Sequence, residues 1–185
     1  MKYIIEAPLT GEKARELRAG DVVSINGTIY TARDAAHKKM VNLIQEGRPL
    51  PFDIRDQIIY YVGPCPAKPG EVIGSAGPTT SSRMDAYAPL LIKLGLKGMI
   101  GKGLRSEAVV DAMKSYGAVY FGAIGGAGAL IAKSIVAEEL IAFPELGTEA
   151  IRKLTVKDFP AVVIIDSYGN DLYKIGREKY RIVSP

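Results

Sequence analysis

The second half of the chain alternates between short apolar runs and helical periods, and this alternation limits the possible folds more than any single motif does. Residues 97–100 read as a strand, 106–116 as a helix and 118–121 as a strand. A glycine-rich turn and a helix near 128–135 follow, then a buried strand at 162–166. Ser167-Tyr168-Gly169-Asn170 reads as a turn back into Leu172-Tyr173-Lys174-Ile175. Strands that alternate with helices pack as an α/β domain with parallel pairing.

The first half adds elements of another kind. Residues 22–25 and 28–31 flank Asn26-Gly27, a pair that supplies the positive φ angles of a tight β-hairpin. That hairpin predicts a mixed, partly parallel sheet. A helix is expected over 33–45, ending at Gly47 before Pro49, and a buried strand over 58–62. Gly63-Pro64-Cys65-Pro66-Ala67-Lys68-Pro69-Gly70 reads as a stiff surface loop, because proline cannot donate to a ladder. A short strand is expected at Val72 and Ile73. Met84, Tyr87, Ala88, Leu91 and Leu94 then recur at helical spacing and predict one helix over 82–94, with Ser82 and Asp85 in a capping-box arrangement.

Length and composition exclude several functions. At 185 residues the chain is read as one domain, 1–185, long enough to bury roughly 70% of its unfolded surface. Its net charge of +4 is modest and no dense Lys/Arg run occurs, so nucleic acid is not the expected partner. The opening Met1-Lys2-Tyr3-Ile4-Ile5-Glu6-Ala7-Pro8 is too short in apolar residues for a signal peptide, and no window is apolar enough to span a bilayer. A cytoplasmic protein without membrane association is expected. Cys65 is the only cysteine and His37 the only histidine. The chain therefore cannot form an internal disulfide or assemble an ordinary zinc or iron–sulfur site alone.

Three segments carry chemistry. Gly77-Pro78-Thr79-Thr80-Ser81-Ser82-Arg83-Met84-Asp85 places hydroxyls and an arginine where a turn enters a helix. Helix starts favour anions, and a guanidinium adds a planar fork for carboxylate or phosphate. One hydroxyl suffices for capping, so four in a row with Arg83 exceed that need, although capping alone remains a reading. Arg33 and His37, four apart, share a helix face that continues through Met40 and Ile44 into the core. They read either as a helix start with a hydrogen-bonded core histidine or as part of an anion site. Lys102, between Gly101 and Gly103 after a strand, reads either as an exposed turn lysine or as a ligand-binding group beyond a strand's carboxyl end.

The run Gly122-Ala123-Ile124-Gly125-Gly126-Ala127-Gly128 lacks the dinucleotide spacing and its following acid, and Lys102 is followed by glycine rather than Ser or Thr. Close helix–strand packing is the better reading, and no nucleotide site is expected.

Taken in order, Arg18-Ala19-Gly20-Asp21, Arg33-Asp34-x-x-His37, Gly63-Pro64-Cys65-Pro66-Ala67, residues 77–85, Gly101-Lys102-Gly103 and Gly125-Gly126 resemble the β subunit of two-subunit, iron–sulfur-dependent class I fumarate hydratases. In single-chain members this region is the C-terminal domain. The resemblance implies an α/β fold of the swivelling β/β/α type and a hydro-lyase that interconverts fumarate and L-malate. It also implies a partner α subunit that holds a 4Fe–4S cluster through three cysteines, in an assembly of two α and two β chains. By motif, Arg33, Arg83 and Lys102 would bind the dicarboxylate, His37 would contact or orient it, and Thr79 would be the base at the C3 proton. A neutral threonine is a very weak base, so that role requires the neighbouring cations to stabilise an alkoxide or a proton-sharing network. Cys65 is read as an ordinary loop residue. The sister family, the β subunit of L(+)-tartrate dehydratase, shares the Gly-Pro-Thr-Thr-Ser core; Ser82, Ala36 and Gly125-Gly126 look more like the fumarases. A non-catalytic anion-binding module is the alternative of another class. A neighbouring gene for a cysteine-containing α subunit would separate the two.

Overall fold

The computed structural model describes residues 2–124 and 126–182; Met1 and Gly125, singled out above, lie outside it. Strand β1 (Lys2–Ala7) leads into helix α1 (Gly11–Glu16), whose start is capped by Thr10 Oγ1 accepting from Lys13 N at 3.3 Å. Then follow β2 (Val22–Thr31), α2 (Asp34–Gln45) and β3 (Ile58–Tyr60). A 3-10 turn (Ser81–Met84) precedes α3 (Ala88–Lys93), β4 (Gly98–Gly101), α4 (Glu107–Tyr116) and β5 (Val119–Gly122). Helix α5 (Gly128–Ala132), β6 (Ile135–Ala142), a second 3-10 turn (Pro144–Glu149), β7 (Ile151–Ile165) and α6 (Leu172–Tyr180) complete the order.

The seven strands form one sheet in the order β1-β2-β3-β4-β5-β7-β6, and β7 also pairs with β2. That extra pairing closes β2, β3, β4, β5 and β7 into a ring. Pairs among β1 to β5 are parallel, and every pair made by β7 is antiparallel, so the sheet is mixed as expected. Successive side chains of a strand point to opposite faces, and the core divides accordingly. Ile58, Tyr60, Ile100, Val119 and Phe121 join one cluster with Ile25, Leu154 and Phe159. Ile59, Tyr61, Met99 and Tyr120 join the other, covered by Met40 of α2, Leu91 of α3 and Met113 of α4.

Asn26-Gly27 does not turn the chain. The predicted hairpin is one continuous strand, with a bulge against β7 between Ile25 and Gly27. Gly27 takes the positive φ of +97°, and a Cβ there would lie 2.7 Å from the Ala7 carbonyl oxygen. Asn26 accepts from Asp158 N at 2.8 Å and donates to Glu6 Oε1 at 3.0 Å, so it stitches three strands together. The mixed character of the sheet comes from β7 instead.

The expected helix over 82–94 is two pieces. Pro89 stands in the first turn of α3, where its missing N–H costs nothing, and Met84 to Tyr87 bends between the pieces. Val72 and Ile73 form no strand, and residues 172–175 belong to helix α6, where Asp171 Oδ1 caps Tyr173 N at 2.9 Å. Strand β7 is far longer than the run at 162–166 that marks its end. Helix α4 matches its expected span and stops at Gly117, whose φ of +69° is the left-handed cap.

Candidate active site

Strands β2, β3 and β4 run parallel, so their carboxyl ends emerge on one edge, where open α/β sheets hold ligands. Arg33 follows β2, Tyr61 to Gly63 follow β3, and Lys102 follows β4. Backbone hydrogen bonds tie the start of the 79–85 segment into this edge. Thr79 N donates to Tyr61 O at 2.7 Å, Lys102 N to Thr79 O at 3.3 Å, and Ser81 N to Lys102 O at 2.9 Å. Thr80 and Lys102 thereby form a parallel bridge, an added rung beyond β4.

Gly101 makes that rung possible. A Cβ there would collide with Ser81 Oγ and come within 2.9 Å of Tyr61 Cδ2. Gly101→Ala is expected to push the 79–81 segment off the sheet and cost about 1–3 kcal/mol, as overpacking does. Urea unfolding of the purified variant measures this.

Arg33 stands at the N-cap position of α2 without a side-chain capping bond, and packs its stem on Gly63, where a methyl group would sit 3.2 Å from Arg33 Cδ. Its guanidinium is largely covered and pairs with Glu149 Oε1 at 3.3 Å and, more loosely, Asp34 Oδ1 at 3.8 Å. Arg83 and Lys102 are exposed, and neither has an ion-pair partner among the described residues. Thr79 is half-buried beside the rung that Thr80 and Lys102 make.

His37 is fully buried, edge-on to Tyr61 at 5.3 Å between ring centroids and tilted against Tyr87 at 6.3 Å. Its Nδ1 lies 2.8 Å from the Arg33 carbonyl. A carbonyl only accepts, so Nδ1 carries the hydrogen and Nε2 of the neutral ring holds a free lone pair. Nε2 has no hydrogen-bond partner among the described residues. Burial pulls the His37 pKa down to about 4; the Arg33 carbonyl raises it, Arg105 lowers it and Asp34 raises it. At neutral pH the ring is an uncharged acceptor.

Arg105 carries no motif signal, yet its side chain is fully buried at this edge. Its Nε donates to Asp85 Oδ1 at 2.7 Å, and its guanidinium lies 5.4 Å from the Tyr61 ring centre and 5.0 Å from that of Tyr120. Asp85 is therefore no capping-box partner of Ser82. It pairs with Arg105 and accepts from Ser106 N at 2.6 Å, at the start of α4. A cation just ahead of a helix start opposes the helix dipole, and this is the one signal in the sequence that Arg105 needs a distant acid.

A cleft of about 660 Å³ is lined by Cys65, Pro66, Ile73, Ala129 and Lys133 among others, and by none of the five predicted site residues. The cationic edge is an open rim. Cys65 is exposed, and no three His, Cys, Asp or Glu side chains converge among the described residues. A 4Fe–4S cluster takes several thiolates, so the residues present do not fit one.

Fold and rim together define an α/β domain with a closed mixed sheet and cations gathered at the carboxyl ends of its parallel strands. The chain belongs to the family described as fumarase C-terminus, which matches residues 2–176. It is 47% identical over 154 residues to the anaerobic class I fumarate hydratase of Escherichia coli, covering 82% of this chain and 28% of that one. It is 46% identical over 156 residues to fumarate hydratase 2 of Leishmania major, again 28% of that protein. A Methanocaldococcus jannaschii protein, provisionally named L(+)-tartrate dehydratase subunit beta, is 40% identical over 172 residues, 90% of this chain and 88% of that one. The chain thus spans 28% of each of these two fumarate hydratases and 88% of the protein provisionally named a β subunit.

Proposed function

We propose that this chain, as one domain of the swivelling β/β/α type, is the β subunit of a hydro-lyase that interconverts fumarate and L-malate. The observation that carries the reading is the rim itself. Arg83 and Lys102 stand exposed without acid partners among the described residues, near Thr79, at the edge where parallel strands end. Two such cations on an open surface suit a small dicarboxylate that a second chain closes over. Arg33 adds a third, tempered by its pairing with Glu149. In this reading Arg83, Lys102 and Arg33 bind the two carboxylates and Thr79 moves the C3 proton. His37 orients the start of α2 and offers an uncharged acceptor.

In this reading the partner is an α subunit that would hold the 4Fe–4S cluster, which would supply Lewis-acid chemistry to the substrate. The single exposed cysteine here supports that division of labour. An assembly of two α and two β chains in the cytoplasm completes the proposal; no helix among the described residues is long and apolar enough to cross a membrane.

A second reading, the β subunit of an L(+)-tartrate dehydratase, is favoured by one fact, the match along 88% of a protein so named. Anaerobic co-expression with the cysteine-containing α chain, then parallel assays of fumarate hydration and L(+)-tartrate dehydration, separates them. Fumarate turnover only in the complex supports the first reading, and a tartrate preference moves the chain to the second. No complex and no turnover rejects both.

Within that complex, Arg83→Lys is expected to lower kcat/KM about tenfold, because the charge remains while the planar fork is lost. Unchanged steady-state kinetics would remove Arg83 from the substrate site.

A further inference from the structure

We propose that Arg105 is a positioning residue of this rim, a buried clamp that locks the 79–85 segment onto the Lys102 loop and shares the Tyr61 ring with His37. Its guanidinium is wholly shielded from solvent, which is costly for a charge unless every face is occupied. Here the faces are occupied: Tyr61 and Tyr120 lie beside the guanidinium, Asp85 takes Nε, and Tyr61 Oη lies 3.4 Å from Nη2.

Each of these partners leads back to the rim. Asp85 ends the 3-10 turn that carries Arg83, and its second oxygen holds Ser106 N. Tyr120 Oη donates to the Gly103 carbonyl at 2.9 Å and lies 2.9 Å from Ser81 Oγ, which joins the Lys102 loop to the turn a second time. Tyr61 gives its carbonyl to Thr79 N and packs its ring T-shaped against His37. One arginine therefore braces the segments bearing Thr79, Arg83 and Lys102.

The same placement bears on His37. The groups that face it are the Arg33 carbonyl and Asp34 on its own helix start, Tyr61 after β3, Tyr87 before α3, and Arg105 before α4. Asp85 reaches it only through Arg105, and Glu149 only through Arg33. Arg105 is the cation that opposes protonation of the imidazole, after burial itself.

His37 is the only histidine, so one imidazole signal in a ¹³C-histidine NMR titration reports on it without assignment. The full chain is titrated as wild type, Arg105→Lys and Arg105→Met, with exchange of the Ser81 amide followed in parallel. Arg105→Lys keeps the charge and loses the fork, so the His37 midpoint should hold while Ser81 protection falls about tenfold. Arg105→Met should in addition raise the midpoint by about 1 pH unit. If that variant fails to fold because Asp85 is left unpaired, Arg105→Met with Asp85→Asn removes both charges and keeps an acceptor for Ser106 N. Wild-type midpoints and wild-type Ser81 protection in these variants would overturn the proposal. A midpoint that moves with the arginine's charge is the response a merely structural residue would not give.

The kinetic arm alone rests on the hydro-lyase reading. In the α-containing complex, Arg105→Lys should lower kcat about tenfold. Wild-type complex without turnover would reject that reading, and the titration and exchange results would still decide on Arg105.

Discussion

On the hydro-lyase reading, Thr79→Val, assembled with the proposed α subunit, is expected to lower kcat by about 100-fold or more while KM changes by less than about threefold. General acid–base groups contribute factors of about 10²–10⁴. The substitution is clean because the backbone is held from both sides: Thr79 N donates to Tyr61 O, and Thr79 O accepts from Lys102 N. Valine matches threonine in shape and lacks only the hydroxyl, so the rung to β4 survives. The cations stay in place, and ground-state binding with them. Single-turnover fumarate hydration measures the chemical step directly. Full turnover in this variant would show that another group moves the C3 proton, and the rim would then be a binding surface only.

The second large effect is on stability. His37 is expected to make folding weaker as pH falls from about 6.5 to about 4. Its folded-state pKa is depressed to about 4 by burial, against 6.5 for an unburied imidazole. The unfolded chain therefore binds the proton first, and stability present above 6.5 is lost as pH drops through the window. Below about 4 both states carry the proton and this contribution stops changing. A difference of roughly 2.5 pH units corresponds to about 3 kcal/mol. Arg55 holds the exposed carboxyl of Asp53 low, at about 2, so that residue acts mostly below the window. Urea unfolding at pH 7.0 and pH 4.5 tests this, with His37→Gln as the comparison. Equal losses in both proteins would mean that another group carries the acid sensitivity.

Much of the rim is legible in the sequence because its residues mark element ends. Arg33 precedes α2, Lys102 follows β4, and Thr79 to Arg83 enter a helical turn, so each stands where local sequence rules speak clearly. The pairing of Arg105 with Asp85 is not legible: the cation ahead of α4 hints that an acid is needed, but an ion pair formed across 20 positions leaves no periodicity to say which. The effect of Arg105 on His37 is hidden for the same reason.

The fold divides along the same line. Helix α4 is readable from its apolar spacing and its glycine cap, and β4 and β5 from short apolar runs. Strand β7 is not, because Pro160 and the positive φ of Asp158 interrupt its pattern. Pro160 pairs in register with Ser24 all the same, and Asn26 supports the kink at Asp158. Asn26-Gly27 misleads for the opposite reason: turn chemistry serves a bulge, and only the distant Ala7 carbonyl explains the glycine.

Strand β7 also sets when this protein can become whole during synthesis. It pairs with β2, β5 and β6, and its register with β2 joins Val22 to Val162. The ring therefore has no closing member until translation has passed residue 165. At about 5–20 residues per second, several seconds separate the emergence of β2 from that of its partner. Through that interval β2, and after its own synthesis β5, carries an unpaired edge of the kind that recruits neighbouring chains. The nascent polypeptide, more than the finished one, is the form in which a crowded ribosome or a missing chaperone would take its toll.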